Sequence, residues 1–308
     1  MKIGFAGLGR MGSPMAARLA AGGHTVVAYD IAVRDDHPVV DTLQHDLIKL
    51  VQTPADLAAA DISISMLPHA ESTSTVLFGS DGIIPAAAEG HIHVVMGTIG
   101  PSTVIEFARR AATTGVAIVD SPVSGSVKLA ETGQLTGMVG ADPETFERVQ
   151  PMLALMTSTQ LHVGAVGSGS AVKVALNTAL AALNQAIAEA LLLAEAGGVR
   201  PADFYRVLQA SAVGAPYVDY KREHFLDADR SGVAFTLELL SKDVTLALDL
   251  AAEHHLNLPQ ARSIATILGQ ALEAELGHRD MAAVLELLRL TTSPLQATTG
   301  TSTIRLGT

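Results

Sequence analysis

No cysteine occurs at any of the 308 positions of this chain. Its absence excludes disulfides, thiolate nucleophiles and cysteine-ligated zinc, and it suits a reducing compartment. Basic residues are scarce as well. Lys and Arg number 20 against 31 Asp and Glu, a formal net charge of -11, which argues against a nucleic-acid partner, because such a partner is held by cationic neutralisation of phosphates. No basic-then-apolar leader comes before the first apolar run, so no signal peptide is expected and the chain is read as soluble and cytoplasmic. No membrane span is expected either: the most apolar stretch, Ala171 to Ala196, is broken by Lys173, Asn177, Asn184, Gln185, Glu189 and Glu195. His91 and His93 share a strand face and His254 and His255 are adjacent, yet no carboxylate stands at a matching ligand spacing, so no metal is expected. Nothing like G-x-S-x-G surrounds Ser124, which leaves no basis for a serine triad.

What is present is concentrated first at Met1 to Asp30, MKIGFAGLGRMGSPMAARLAAGGHTVVAYD. Lys2 to Ala6 reads as a short buried strand, Ser13 to Ala21 as a helix closed by Gly22 and Gly23, and Thr25 to Tyr29 as a second strand. Between strand and helix lie Gly7-Leu8-Gly9-Arg10-Met11-Gly12, the G-x-G-x-x-G of a dinucleotide turn. Gly7 would permit the tight turn, Gly9 the approach of a pyrophosphate, and Gly12 close helix–strand packing. The diphosphate would sit on the helix N-terminus, where unpaired N–H groups and the macrodipole favour negative charge. Asp30 lies 18 residues beyond Gly12 at the end of the second strand. A carboxylate there accepts bonds from both ribose hydroxyls and repels a 2′-phosphate, so NAD is preferred, with NADP possible. Arg34 stands close enough to blur that preference.

Short apolar runs then alternate with helical segments. Asp61–Leu67, His91–Met96, Val116–Val119 and Gln134–Val139 read as strands, and Ser72–Phe78, Ser102–Thr114 and Asp142–Met156 as helices. A helix is also placed in Val33–Val51, although that segment is charged and carries Pro38. The pattern predicts an α/β fold: a doubly wound, mostly parallel Rossmann sheet in residues 1–163. From residue 164 to 290 the β signal stops and long helices follow, beginning with the alanine- and leucine-rich Ala171–Ala196, so an all-α domain is expected there. That helix is apolar around most of its circumference and needs cover on several sides, for which a second copy of the chain is a candidate. Residues 291–308, rich in Thr, Ser and Gly, read as a mobile tail.

Two further clusters carry polar groups suited to chemistry. In Asp120 to Gly140, DSPVSGSVKLAETGQLTGMVG, a strand ends at Asp120 and Pro122 stiffens the exit to Ser124-Gly125-Ser126. Such a turn can hold a carboxylate on hydroxyls and backbone N–H groups; read alone, it serves equally as a surface loop. In Gly167-Ser168-Gly169-Ser170 and onward, Lys173 and Asn177 lie one turn apart on a face otherwise too apolar for a charge. Burial would lower the lysine pKa toward the range useful for proton transfer, whereas a snorkelling stem would leave it ordinary.

With those segments in view, the chain resembles the β-hydroxyacid dehydrogenases, the family of 3-hydroxyisobutyrate dehydrogenase and tartronate semialdehyde reductase. The match is carried in order by GLGRMG at 7–12, DSPVSG at 120–125 with GQLTGMVG at 133–140, GSGSAVKVALN at 167–177 and SKD at 241–243. The resemblance implies a two-domain enzyme that exchanges a hydride between a nicotinamide cofactor and a short 3-hydroxy acid; a dimer or tetramer using the long helix of the helical substrate domain is expected. It implies Lys173 as the proton-transfer residue, Asn177 as a substrate ligand, and Ser124, Gly125 and Ser126 as the carboxylate clamp. Lys242 would lie near cofactor and substrate, Thr98 beside the nicotinamide, and Leu67-Pro68 along the cofactor. Substrate volume beyond the clamp would depend on helical-domain residues such as Tyr217, Phe235 and Leu239. Departures fall around the substrate. Ser126 stands where the family usually has glycine, Lys128-Leu129 replaces a small residue and glycine, and Gly97 and Gly100 replace serines beside Thr98. Lys128 looks like the branch acting on sugar acids such as threonate. Rival readings are an imine reductase of the same architecture and a non-catalytic NAD-binding protein.

Overall fold

In a computed structural model of the chain, residues 1–32 and 46–292 are described. Strand β1 (Lys2–Ala6) is flanked in parallel by β2 (Thr25–Tyr29) and β4 (Ile62–Ser65), and the sheet continues through β3 (Ile48–Leu50) on one side and β5 (Ile92–Val95) and β6 (Ala117–Asp120) on the other. The order β3-β2-β1-β4-β5-β6 reverses direction between β1 and β4, which opens a crevice beyond the carboxyl ends of those strands. The central strands β4 and β5 are buried at every position because helices cover both faces of the sheet. Ile3, Phe5, Ile64 and Val94 are fully buried.

The remaining strands depart from a wholly parallel sheet. β7 (Val123–Ser124) and β6 both lie antiparallel to β8 (Leu135–Gly140), and β9 (Thr157–Gly164) runs parallel to β8. The helices of this half are α1 (Gly12–Ala21), α2 (Ala70–Phe78), α3 (Ile83–Ala86), α4 (Pro101–Ala112), α5 (Val127–Glu131) and α6 (Pro143–Leu153). The expected helix over Val33–Val51 falls largely on residues outside the described ones. Its C-terminal part is corrected: Ile48–Leu50 is an edge strand in register with Val26 to Ala28, too short for any periodicity to show.

Past Gly164 every regular element is helical among the described residues: α7 (Ser168–Ala196), α8 (Pro201–Ala210), α9 (Pro216–Leu226), α10 (Ala228–Ser231), α11 (Leu237–Glu253), α12 (Pro259–Glu273) and α13 (Val284–Thr291). α7 is the spine of this half. It is long and apolar enough to cross a membrane by length and composition, yet its buried positions include Asn177, Asn184 and Gln185. Asn184 Nδ2 donates to the Met281 carbonyl at 2.9 Å and its Oδ1 accepts from Tyr217 Oη at 2.8 Å. Those partners make a polar residue tolerable in the helical core.

Candidate active site

The glycine turn follows β1 and shows three different reasons for glycine. Gly7 has φ of 96°, and a Cβ there would stand 2.4 Å from the Met66 carbonyl oxygen. A Cβ on Gly12 would stand 1.8 Å from the Gly7 oxygen, so helix and turn touch backbone to backbone. A Cβ on Gly9 would meet nothing within 4 Å. Gly9 therefore has no packing reason to lack a side chain, and its open side is the cradle a pyrophosphate requires. Leu8 is buried, while Arg10 is exposed and Met11 half-buried at the mouth of α1. At the end of β2, Asp30 Oδ2 accepts from the Leu8 N–H at 2.6 Å and Oδ1 from the Ala32 N–H at 2.8 Å. The carboxylate is thus oriented by the turn itself. Arg34 lies outside the described residues. These features fit a dinucleotide.

Leu67-Pro68 leaves the end of β4 and Gly97-Thr98 the end of β5, along the same crevice. The two loops nearly touch: a Cβ on Gly97 would be 2.1 Å from the Leu67 carbonyl oxygen. The glycine at 97 is therefore a local requirement of this backbone. Gly100, with φ of 87°, starts α4 and would bring a Cβ to 3.2 Å of Leu246 on α11, so the Thr98 loop also meets the helical domain.

Across the crevice stand the residues of α7 and α11. Asn177 Nδ2 donates to Asp243 Oδ2. Asp243 Oδ1 lies 2.8 Å from Lys242 Nζ, and Lys242 Nζ donates to the Thr98 carbonyl at 2.5 Å. A chain of polar contacts thereby runs from the helix carrying Lys173, through α11, to the loop at the end of β5. With Nδ2 committed to Asp243, the Asn177 carbonyl oxygen is left for another donor. The Lys173 side chain makes no hydrogen bond or ion pair among the described residues. Burial holds its ammonium below the ordinary lysine pKa, Asp243 opposes that fall, and Lys242 adds to it. Asp243 is only 2 % exposed and serves both neighbours. Within the SKD segment it gives no sign of this role, since a carboxylate after a lysine on an amphipathic helix carries no signal of what it will face.

Ser124 ends β7, opposite Thr136 of β8. Gly125 has φ of 143°, and a Cβ there would meet Leu135 at 2.6 Å. Ser126 Oγ accepts from the Leu129 N–H at 3.4 Å as the N-cap of α5, which leaves its O–H free to donate. No hydrogen bond among the described residues joins this turn to Lys173 or Asn177. Lys128 is exposed on α5. Tyr217 is drawn into the helical core by Asn184, and Phe235 is half-buried against the same core. The Phe235 and Ala234 N–H groups are pinned by Asp280 Oδ2 at 3.2 and 2.9 Å.

A crevice with an open glycine turn on one wall and Lys173 beside Asn177 on the other has the parts that a nicotinamide-dinucleotide-dependent oxidoreductase needs. Comparison with known proteins agrees and narrows the class. Residues 2–167 match the family described as the NAD binding domain of 6-phosphogluconate dehydrogenase, and residues 167–288 match that described as the NAD-binding of NADP-dependent 3-hydroxyisobutyrate dehydrogenase. The chain is 34% identical over 287 residues to 2-(hydroxymethyl)glutarate dehydrogenase of Eubacterium barkeri, covering 93% of this chain and 94% of that protein. It is also 34% identical to 2-hydroxy-3-oxopropionate reductase of Escherichia coli (strain K12), covering 94% and 98% respectively. Among solved structures it is similar to Mycobacterium tuberculosis 3-hydroxyisobutyrate dehydrogenase with L-serine, with TM-score 0.81, 30% identity, and coverage of 94% of this chain and 99% of that one. The chain belongs to the β-hydroxyacid dehydrogenase family, and its cofactor is NAD or NADP.

Proposed function

We propose that this enzyme oxidises a short 3-hydroxy acid, 3-hydroxyisobutyrate or a near relative, with NAD preferred and with Lys173 moving the hydroxyl proton. Bound cofactor supplies the hydride acceptor. Lys173 in its neutral form takes the substrate proton, and as an ammonium returns it in the reduction direction. Asn177 Oδ1 accepts from the substrate hydroxyl or from Lys173 Nζ and keeps the two together. Ser124, the Gly125 and Ser126 N–H groups and the Ser126 hydroxyl bind the carboxylate. Lys242 closes the crevice against Thr98, and Gly7 to Gly12, Asp30 and Leu67-Pro68 hold the cofactor, the division between cofactor and helical domains lying in the turn between Gly164 and Ser168. The observation that supports this reading is the run of polar contacts from Asn177, one turn from Lys173 on α7, through Asp243 and Lys242 to the Thr98 loop, beside which burial lowers the Lys173 pKa. A Lys173→Ala variant is expected to lose about 10²–10⁴-fold in turnover with NADH affinity unchanged by fluorescence titration. Near-normal turnover would remove Lys173 from the chemistry.

The Asp30 carboxylate, held by two backbone donors, supports NAD over NADP, and the ratio of kcat/KM for the two cofactors tests it. Lys128, exposed one turn past the clamp, favours a second reading in which the substrate carries a polar or anionic distal group, as a sugar acid such as threonate does. Assay of 3-hydroxyisobutyrate, glycerate, serine, threonate and 2-(hydroxymethyl)glutarate with each cofactor separates the two. Lys173, Asn177 and Lys242 together speak against an imine reductase or a binding module. The cysteine-free composition suits work in the cytoplasm.

A further inference from the structure

Asp120 opens the DSPVSG segment, and the proposed chemistry assigns it nothing. It is completely buried, an unusual place for a carboxylate with no cation against it among the described residues. Its partners explain it. Oδ1 accepts from the Gly167 N–H at 2.8 Å and Oδ2 from the Ser170 N–H at 2.6 Å, two of the donors that the first turn of α7 leaves open. The helix's own N-cap, Gly167, has no side chain and sits at φ of 94°, so the cap is supplied from β6, in the other domain. The surroundings are shaped for it. A Cβ on Gly140 would stand 2.2 Å from Asp120 Oδ1, and a Cβ on Gly169 would stand 2.2 Å from the Met138 carbonyl oxygen and 3.1 Å from Asp120 Oδ2. Both glycines let the helix end press onto the sheet around this one carboxylate.

The location matters because of what each side carries. Asp120 pairs in register with Val95, and the Ser121 N–H donates to the Val95 carbonyl at 2.8 Å; β5 ends there and leads directly to Thr98. On the other side, Lys173 lies one turn beyond Ser170. We propose that Asp120 is a positioning residue that sets the distance and angle between the cofactor wall of the crevice and Lys173 by capping α7 from the sheet. This rests on Lys173 being the proton-transfer group. Asp243 and Lys242 act on the charge of Lys173, and Asp120 acts on where the amine stands.

Asp120→Asn keeps one acceptor oxygen and turns an amide donor toward an N–H that is itself a donor. In the full-length enzyme it is expected to bind NADH within about threefold of the parent, while kcat per NADH-binding site falls at least tenfold, since an ångström of misplacement can cost about 100-fold. The primary deuterium isotope effect on kcat, with substrate labelled at C3, should rise as the chemical step becomes limiting. Gly140→Ala, which displaces the carboxylate without removing it, should give the same pattern, and it decides the question if Asp120→Asn is insoluble. A lowered melting temperature with unchanged kcat and isotope effect would overturn the proposal and leave Asp120 as a helix cap only. Lys173→Ala in the same assay separates the failures. If it is inactive while both positioning variants are normal, only the role of Asp120 falls; if it is active, the reading of Lys173 falls as well.

Discussion

Single residues in the crevice separate folding from binding more cleanly than a motif suggests. Gly9→Ala adds a methyl group into open space, whereas Gly12→Ala drives one to 1.8 Å of a backbone oxygen. The first is expected to keep the parent melting temperature and lose NADH affinity at least tenfold; the second should lower the melting temperature by several degrees, as large clashes at packed backbone do. Equal effects on both quantities would contradict the open cradle at Gly9. For Lys173, burial is the dominant cause of the lowered pKa and Asp243 the opposing one. In the proposed mechanism oxidation needs the neutral amine, so its rate should rise with pH through a limb lying below the ordinary lysine value of about 10.4, and reduction should show the inverse. Asp243→Asn removes the charge that favours the ammonium, so the limb is expected to move to lower pH, with kcat reduced as Asn177 loses its anchor. A limb that stays in place or moves upward would show that Asp243 does not act on Lys173.

The elements around these residues are held by buried polar groups that a hydrophobic pattern does not reveal. In the sheet, Ser63 Oγ lies 2.7 Å from both His91 Nε2 and His93 Nδ1, and His93 Nε2 lies 2.9 Å from Ser65 Oγ. Burial, with a smaller contribution from His91, pushes His93 down to about 3. The unfolded chain, with a histidine near 6.5, takes up the proton first as pH falls, so this stability is complete above about 6.5 and is lost progressively toward pH 3. Asp120, raised by burial, works in the opposite sense at the lower end of that range. The urea midpoint should fall steadily from pH 7 to pH 4; a flat midpoint would contradict a neutral, buried His93. In the helical half, Lys221 on α9 is 1 % exposed and its Nζ lies 2.7 and 2.8 Å from the two oxygens of Asp280. That pair, with Asp280 also accepting from Ala234, Phe235 and Ala282, explains why α9 has little amphipathic signal: one of its inward positions is a charge.

At the scale of the whole molecule, the outward side of α7 leaves Val172 and Leu176 about two-fifths exposed and Leu193 76% exposed. They lie on the helix that carries Lys173, and we propose that they meet a second copy of the chain in a dimer or tetramer. Light scattering coupled to gel filtration should report an oligomer, and Leu193→Glu should shift it toward the monomer while the fold persists. A monomeric parent enzyme at assay concentration would end that proposal.

Local chemistry was enough to read the glycine turn, the apolar strands β1, β4, β5 and β6, the change to helices near residue 164, and a lysine and asparagine one turn apart, since each depends on neighbours in sequence and on a period of two or 3.6 residues. β9 stayed hidden because an edge strand with exposed Ser158, Thr159, Leu161 and His162 has no buried face to declare itself. β3 is too short, and α9 buries an ion pair. Only the tertiary structure decided that Asn177 is oriented by Asp243, that Lys242 reaches Thr98, and that Asp120 caps a helix 47 positions further on. Those contacts join residues on different elements whose separation along the chain carries no signal; the last exists because Gly169 lets α7 press against the Met138 backbone, within hydrogen-bonding distance of Asp120.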